Sequence, residues 1–349
     1  YQALNDEVLS LASGFHKLGI SDGNRVLVQL PNSYEFIAVC FALHWLGALP
    51  VLIMPAQRQH DISTLCQLSE AIAYIVPDKF LGFDYPAMAE KVQADNSCLQ
   101  HIIVAGDSDT FTPLAKLKAK PLSFSPPNAT DTALLLLSGG TTGTPKLIPR
   151  THTDYIYNAK ASAQLCQFDQ HTVYLASLPI AHNFPLACPG ILGTLCVGGK
   201  IVMAKTPGSD ETFSLIEQHK VTATALVPPL VQLWLTAREW DTSDLSSLQL
   251  LQVGGARFEP ELAKQVTPKL GCQLQQVFGM AEGLLCYTRL DDPLDVIINT
   301  QGRPLCPDDE IRIIGNNDLP VANGEVGELQ TKGPYTLKGY YRADEHNAK

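Results

Sequence analysis

Apolar residues recur at helical spacing over Gln2 to Leu18, with Leu4, Val8, Leu11 and Phe15 on one face, and Gly19 follows as a helix stop. Arg25 to Leu30 predicts a strand closed by Pro31-Asn32, Tyr34 to Gly47 a helix, and Leu49 to Met54 another short strand. Such alternation predicts a mostly parallel sheet with helices on its faces. Asp107 to Pro127, rich in Pro, Lys, Ser and Thr, predicts a surface connection. The rhythm then returns, with strands expected at Val173 to Ile180, Lys200 to Ala204, Thr222 to Val227, Gln249 to Val253 and Gln273 to Phe278. From Asp309 the pattern changes. Glu310 to Ile314 and Gly327 to Thr331, set off by Gly315-Asn316-Asn317-Asp318 and Asn323-Gly324, predict a small antiparallel β region. The fold class is therefore α/β, read as three parts: 1–155, 156–300 and a β-rich 301–349.

The chain's 349 residues suffice for two or three domains, and its 45% hydrophobic content excludes a disordered chain. Lys+Arg of 25 against Asp+Glu of 35 argues against a nucleic-acid partner. The longest apolar stretch, Phe36 to Met54, is broken by His44, Gly47 and Pro50, so no membrane span is expected. Nine cysteines without C-x-x-C spacing, and no signal peptide, are read as free buried thiols in a reducing cytoplasm. The start at Tyr1 without an initiator Met, and a finish at Lys349 without a helix stop, read as a piece of something longer.

The strongest chemical signal follows the apolar run Leu134 to Leu137. Ser138, Gly139, Gly140, Thr141, Thr142, Gly143 and Thr144 lead through Pro145 to Lys146. Glycines let backbone N–H groups approach an anion, hydroxyls donate to it, and a lysine adds charge, a set suited to polyphosphate. It is not the Walker pattern, because Leu147 stands where Ser or Thr is required. Two further loops follow expected strands: Gly254-Gly255-Ala256, and Gly279-Met280-Ala281-Glu282 after Phe278. In a parallel sheet both emerge at the carboxyl edge, where ligands bind. Gly254 and Gly255 would let a flat ring lie on bare backbone, Phe278 would oppose it, and Glu282 would hold Mg²⁺. His182, Asn183 and Phe184 set a polar pair among apolar residues. A histidine there is as a rule a satisfied core residue, while Asn183 beside Phe184 suits a small aromatic carrying a hydroxyl. No G-x-S-x-G, G-x-G-x-x-G or H-E-x-x-H occurs.

Ser138 to Lys146 together with Phe278-Gly279-Met280-Ala281-Glu282 resemble the adenylate-forming superfamily of acyl-CoA ligases, peptide-synthetase adenylation domains and luciferases. Ala181 to Leu186 and Gln275 to Leu284 are most similar to the aryl-acid–AMP ligases of siderophore biosynthesis, along essentially the whole chain. Within that group Cys188 and Leu284 to Leu290 resemble the salicylate-activating members; 2,3-dihydroxybenzoate enzymes usually carry Ser at the position of Cys188 and Asn at that of Cys286. The resemblance implies ATP and Mg²⁺, an aryl acid turned into aryl-AMP and pyrophosphate, and transfer to the phosphopantetheine thiol of an aryl carrier protein. It assigns Ser138 to Lys146 to the β- and γ-phosphates, Gly255, Ala256 and Phe278 to adenine, and Glu282 to Mg²⁺. Asn183, Phe184, Cys188 and Leu285 would line the aryl site, with His182 at its mouth. It also implies two β/α sheet subdomains and a small β region. The family's ribose-binding Asp, hinge and C-terminal domain with its adenylation lysine, and about fifty residues before Tyr1, are absent from this sequence. The alternatives are an aryl-CoA ligase, a 2,3-dihydroxybenzoate–AMP ligase, and a domain that binds ligand without chemistry.

Overall fold

Helix α1 (Gln2–Lys17) buries Val8, Leu11 and Phe15 of the expected stripe and leaves Leu4 half-buried. The computed structural model describes residues 1–139 and 145–348. Strand β1 (Arg25–Val28) is followed by α2 (Tyr34–Leu46), which starts on the Ser33 hydroxyl and stops at Gly47 in the left-handed region, φ +77°. Next come β2 (Leu49–Leu52), α3 (Gln59–Ser69), β3 (Ala73–Pro77), a two-residue hairpin of β4 (Lys79–Phe80) and β5 (Phe83–Asp84), and α4 (Tyr85–Asp95). After β6 (His101–Ala105), the expected surface connection holds only β7 (Thr112–Pro113) and one turn of 3-10 helix. The glycine-rich segment is preceded by β8 (Thr132–Leu137) and followed by β9 (Leu147–Thr151).

These strands form one sheet in the order β7-β6-β3-β1-β2-β8-β9, parallel except for the antiparallel pair β8/β9. Its interior strands are buried apolar runs, as a sheet covered on both faces requires. The turn out of β9 into α5 (His152–Leu165) is tied by Asp154. Its carboxylate accepts from Thr151 N–H, Thr151 Oγ1 and the fully buried Arg150 guanidinium, each at 2.9 Å.

A second sheet is built from β10 (Val173–Ala176), β11 (Lys200–Met203), β12 (Ala223–Leu226), β13 (Leu250–Val253), β14 (Gln273–Gly279), β15 (Leu285–Tyr287) and β16 (Arg303–Pro304). Its order is β11-β10-β12-β13-β14-β15-β16, parallel through β14 and antiparallel beyond. The strand expected to reach Ile180 ends at Ala176, because Pro179 has no N–H for a ladder. Between the strands lie α6 (Asn183–Ala187), α7 (Gly190–Cys196), α8 (Ser209–His219), α9 (Pro228–Ala237), α10 (Pro260–Leu270) and α11 (Leu294–Asn299). One core packs Trp234 and Phe213 edge to face at 5.0 Å among Leu175, Leu226, Leu251 and Val266. The expected antiparallel region is the hairpin β17 (Glu310–Ile314) and β18 (Glu328–Lys332), and α12 (Asp344–Asn347) closes the described chain.

The chain divides into two compact units. The first holds Tyr1–Tyr155, Pro179–His182 and Gly339–Lys349; the second holds Ile156–Leu178 and Asn183–Lys338. Residues 301–349, expected as a β-rich part, are thus shared between them. All nine cysteines are free thiols; seven are buried, Cys98 is half-buried and Cys196 exposed. Among the described residues no helix is long and apolar enough to cross a membrane.

Candidate active site

In the first unit, β8 delivers Ser138 at its carboxyl end, and two hydrogen bonds fasten it to Lys146. Ser138 N–H donates to Lys146 O at 3.0 Å, and Lys146 N–H donates to Ser138 Oγ at 3.1 Å. Together they close the neck of the glycine–threonine segment. Gly139 is exposed, and no described residue comes within 4 Å of where a Cβ would stand. The expected phosphate residues Gly140, Thr141, Thr142, Gly143 and Thr144 lie outside the described residues. The Lys146 ammonium stands 2.9 Å from His346 Nε2 and 4.9 Å from the centre of the Tyr340 ring, a cation–π distance. Tyr341 N–H also donates to Leu147 O at 2.9 Å, so residues 340–346 are docked beside this lysine.

His182 follows a turn held by its own N–H on Pro179 O at 3.0 Å and by Ile180 N–H on Asn32 Oδ1 at 3.0 Å. Its side chain meets solvent, yet the protein strips enough water from the imidazole to lower its pKa below the ordinary value. The ring therefore favours its neutral form at pH 7.

In the second unit, Asn183, Phe184 and Cys188 lie at the α6–α7 corner. Asn183 Nδ2 donates to Cys188 Sγ at 3.5 Å, and the thiol donates to Asn183 O at 3.5 Å. The Phe184 ring lies against the backbone of Gly254. A Cβ there would stand 3.1 Å from Phe184 Cζ and 2.9 Å from Val277 O, so only glycine fits. Beside it, β14 and β15 pair Phe278 with Cys286 and Gly279 with Leu285. Leu285 is buried and Phe278 half-buried, while Gly255 and Ala256 are exposed at the end of β13. Asn183, Phe184, Cys188, Gly254 and Leu285 all belong to this one unit.

Met280 and Glu282 occupy the turn between β14 and β15, where Met280 N–H donates to Leu284 O at 3.1 Å. Glu282 is half-buried, and its carbonyl accepts from Leu337 N–H at 2.7 Å. Among the described residues no three His, Cys, Asp or Glu side chains cluster to hold a metal. One carboxylate nevertheless fits Mg²⁺, which keeps several waters and takes its other ligands from substrate phosphates.

Sequence reasoning missed the layer behind these residues. On the buried face of α5, Asn158 reaches Ala187 O and Cys188 Sγ and Ser162 pairs with Tyr287 OH at 2.9 Å, while Cys166, just past the helix end, donates to Gln275 Oε1 at 3.1 Å. The available signal was polar Asn158, Ser162 and Cys166 recurring at helical spacing beside Tyr155, Ala159 and Ala163. Burial pushes the Cys166 thiol and the Tyr287 phenol far up, so both stay neutral donors. A separate cavity of about 570 Å³ in the first unit, lined by Leu4, Phe41, His44, Trp45 and His152 among others, includes none of the candidate site residues.

The model of the family described as AMP-binding enzyme matches residues 1–341. The chain is 53% identical over 348 residues to 2,3-dihydroxybenzoate-AMP ligase of Bacillus subtilis, covering 100% of this chain and 65% of that protein. It is 49% identical over 352 residues to the salicyl-AMP ligase / salicyl-S-ArCP synthetase of Mycobacterium tuberculosis, covering 100% of this chain and 62% of that one. The apo structure of Mycobacterium smegmatis MbtA superposes with a TM-score of 0.93 at 46% identity, covering 99% of this chain and 64% of that chain. The chain thus spans just under two thirds of the length of these relatives.

Proposed function

The chain belongs to the AMP-binding enzyme family, and from that premise we propose that it forms the large domain of an aryl-acid adenylating enzyme with salicylate as its preferred acid. The whole protein would convert the acid and ATP to aryl-AMP and pyrophosphate. It would then pass the aryl group to the phosphopantetheine thiol of a carrier protein; the Mycobacterium tuberculosis relative is named a salicyl-S-ArCP synthetase. Bound MgATP supplies the electrophilic α-phosphorus and the departing pyrophosphate. Ser138, Gly139 and Lys146 would cradle the β- and γ-phosphates with Gly140 to Thr144, the lysine exchanging His346 for phosphate oxygen. Glu282 would hold Mg²⁺. Gly255, Ala256 and Phe278 would flank adenine, with Gly279 and Met280 continuing that wall. His182, neutral at neutral pH, would stand at the mouth of the aryl site. Asn183 would pair with the ortho hydroxyl, and Phe184, Gly254 and Leu285 would hold the ring flat.

The observation that carries the choice of acid is the thiol of Cys188, 1% exposed and bonded to Asn183. Sulfur is larger and less polar than a hydroxyl oxygen. Beside C3 of the ring it tolerates hydrogen and penalises a second hydroxyl by about 1–3 kcal/mol, the cost of a poorly satisfied buried polar group. Competition between salicylate and 2,3-dihydroxybenzoate in the whole protein tests this. Wild type is expected to prefer salicylate, and Cys188→Ser to move the ratio toward the dihydroxy acid by about tenfold for each 1.4 kcal/mol regained. A wild-type preference for 2,3-dihydroxybenzoate, the acid named for the Bacillus subtilis relative, would overturn the choice.

A further inference from the structure

Helix α5 carries a residue that acts on the same thiol from behind. Asn158 is fully buried, its Nδ2 donates to Ala187 O at 2.7 Å, and the same nitrogen lies 3.8 Å from Cys188 Sγ. Asn183 Nδ2 approaches that sulfur at 3.5 Å, and the thiol hydrogen is directed at Asn183 O. A thiol has one weak donor and a weakly accepting sulfur. Here the donor is spent on a backbone carbonyl, and the acceptor faces two amide N–H groups. We infer that Asn158 is a specificity-positioning residue, which together with Asn183 occupies the Cys188 sulfur as an acceptor and so denies it to a second ring hydroxyl. This rests on the reading that Cys188 lines the aryl site.

The chemistry follows from what each acid needs. A ring C–H against the sulfur asks for no partner. A hydroxyl at the same place gives up water and must find an acceptor, and the one nearby is already engaged. Asn158 touches no ligand atom in this scheme, so its effect passes entirely through position 188. A clamp that merely holds Ala187 O would instead weaken the enzyme for both acids alike.

The test is Asn158→Leu, which removes the amide while keeping bulk, in three backgrounds of the whole protein: wild type, Cys188→Ser and Cys188→Ala. The readout is the ratio of kcat/KM for 2,3-dihydroxybenzoate over salicylate. Removing one of two amide donors from a weak sulfur acceptor should raise the ratio about threefold in wild type, and from a stronger oxygen acceptor about tenfold in the Cys188→Ser background. It should leave the ratio unchanged in the Cys188→Ala background, where there is nothing to free. The same shift in all three backgrounds, or an equal fall in kcat for both acids with no shift anywhere, overturns the inference and makes Asn158 a structural clamp. Should Asn158→Leu fail to fold, Asn158→Thr, one bond shorter and out of reach of the sulfur, carries the same comparison. If Cys188→Ser and Cys188→Ala by themselves leave the ratio at its wild-type value, the aryl-site reading of Cys188 fails and takes this inference with it. If they move it while Asn158→Leu shifts every background equally, the reading stands and only the inference falls.

Discussion

Two single side chains, Lys146 and Glu282, would divide the electrostatic work on a polyphosphate under the proposed function, and their removal should then fail differently. Lys146 would touch phosphate oxygen directly, so Lys146→Ala should depress adenylation on the order of 10²-fold, and added Mg²⁺ should not restore it. Glu282 would act through the metal, so the loss in Glu282→Gln should be partly relieved as Mg²⁺ is raised. Initial rates across a Mg²⁺ titration separate the two, and a change of less than a few-fold in both variants would remove the phosphate site from this segment. The sequence singles out Lys146 because it follows a glycine–threonine run. Its partner was not legible there, because His346 is 200 residues away, and nothing local in the sequence ties a histidine of α12 to the neck of β8 and β9.

At the scale of elements, the β14–β15 turn is braced from a segment fifty residues on. Leu285 N–H donates to Tyr335 OH at 3.2 Å, and that hydroxyl donates to Asp309 Oδ2 at 2.8 Å. Gly283 turns at φ +155°, where a Cβ would meet Thr336 Cα at 2.6 Å. Tyr335 is 1% exposed, so Tyr335→Phe leaves a buried N–H and a carboxylate short of a partner. The expected cost is about 1–3 kcal/mol, read as a lower urea midpoint with an unchanged slope. A midpoint equal to wild type would show that the brace carries no stability. Apolar runs mark β1, β2, β8 and β10 to β14, but β3, β6, β15 and β16 carry no such expectation, and strand ends are read less well, since Ala176 rather than Ile180 closes β10. The brace, like the polar face of α5, depends on side chains meeting across the second unit, and periodicity says which face is buried but not what it meets.

For the whole molecule, acid stability is set in part by desolvated, half-buried imidazoles. His44 Nε2 is buried without a hydrogen-bond partner, and desolvation first, then the nearby His152, pulls its pKa down to about 3. His152 is lowered too, by desolvation, with Asp131 opposing. The unfolded chain therefore binds more protons than the folded one below the ordinary histidine pKa near 6.5, and stability is lost as pH falls from there toward 3. At pH 5 the loss through His44 is about 1–2 kcal/mol. Unfolding midpoints at pH 7 and pH 5 should converge in His44→Leu relative to wild type, and parallel curves would contradict the assignment. The α/β architecture and the late antiparallel hairpin were legible from hydrophobic rhythm alone. The assignment of residues 339–348 to the first unit was not, because it is settled by contacts such as Tyr341 on Leu147 rather than by pattern. The most direct test is exchange of labelled pyrophosphate into ATP by the whole protein across a panel of acids. Salicylate should drive exchange strongly, 2,3-dihydroxybenzoate less, and benzoate, which lacks the ortho hydroxyl that Asn183 would read, far less. Exchange driven equally by benzoate, or by a fatty acid in place of any aryl acid, would contradict it.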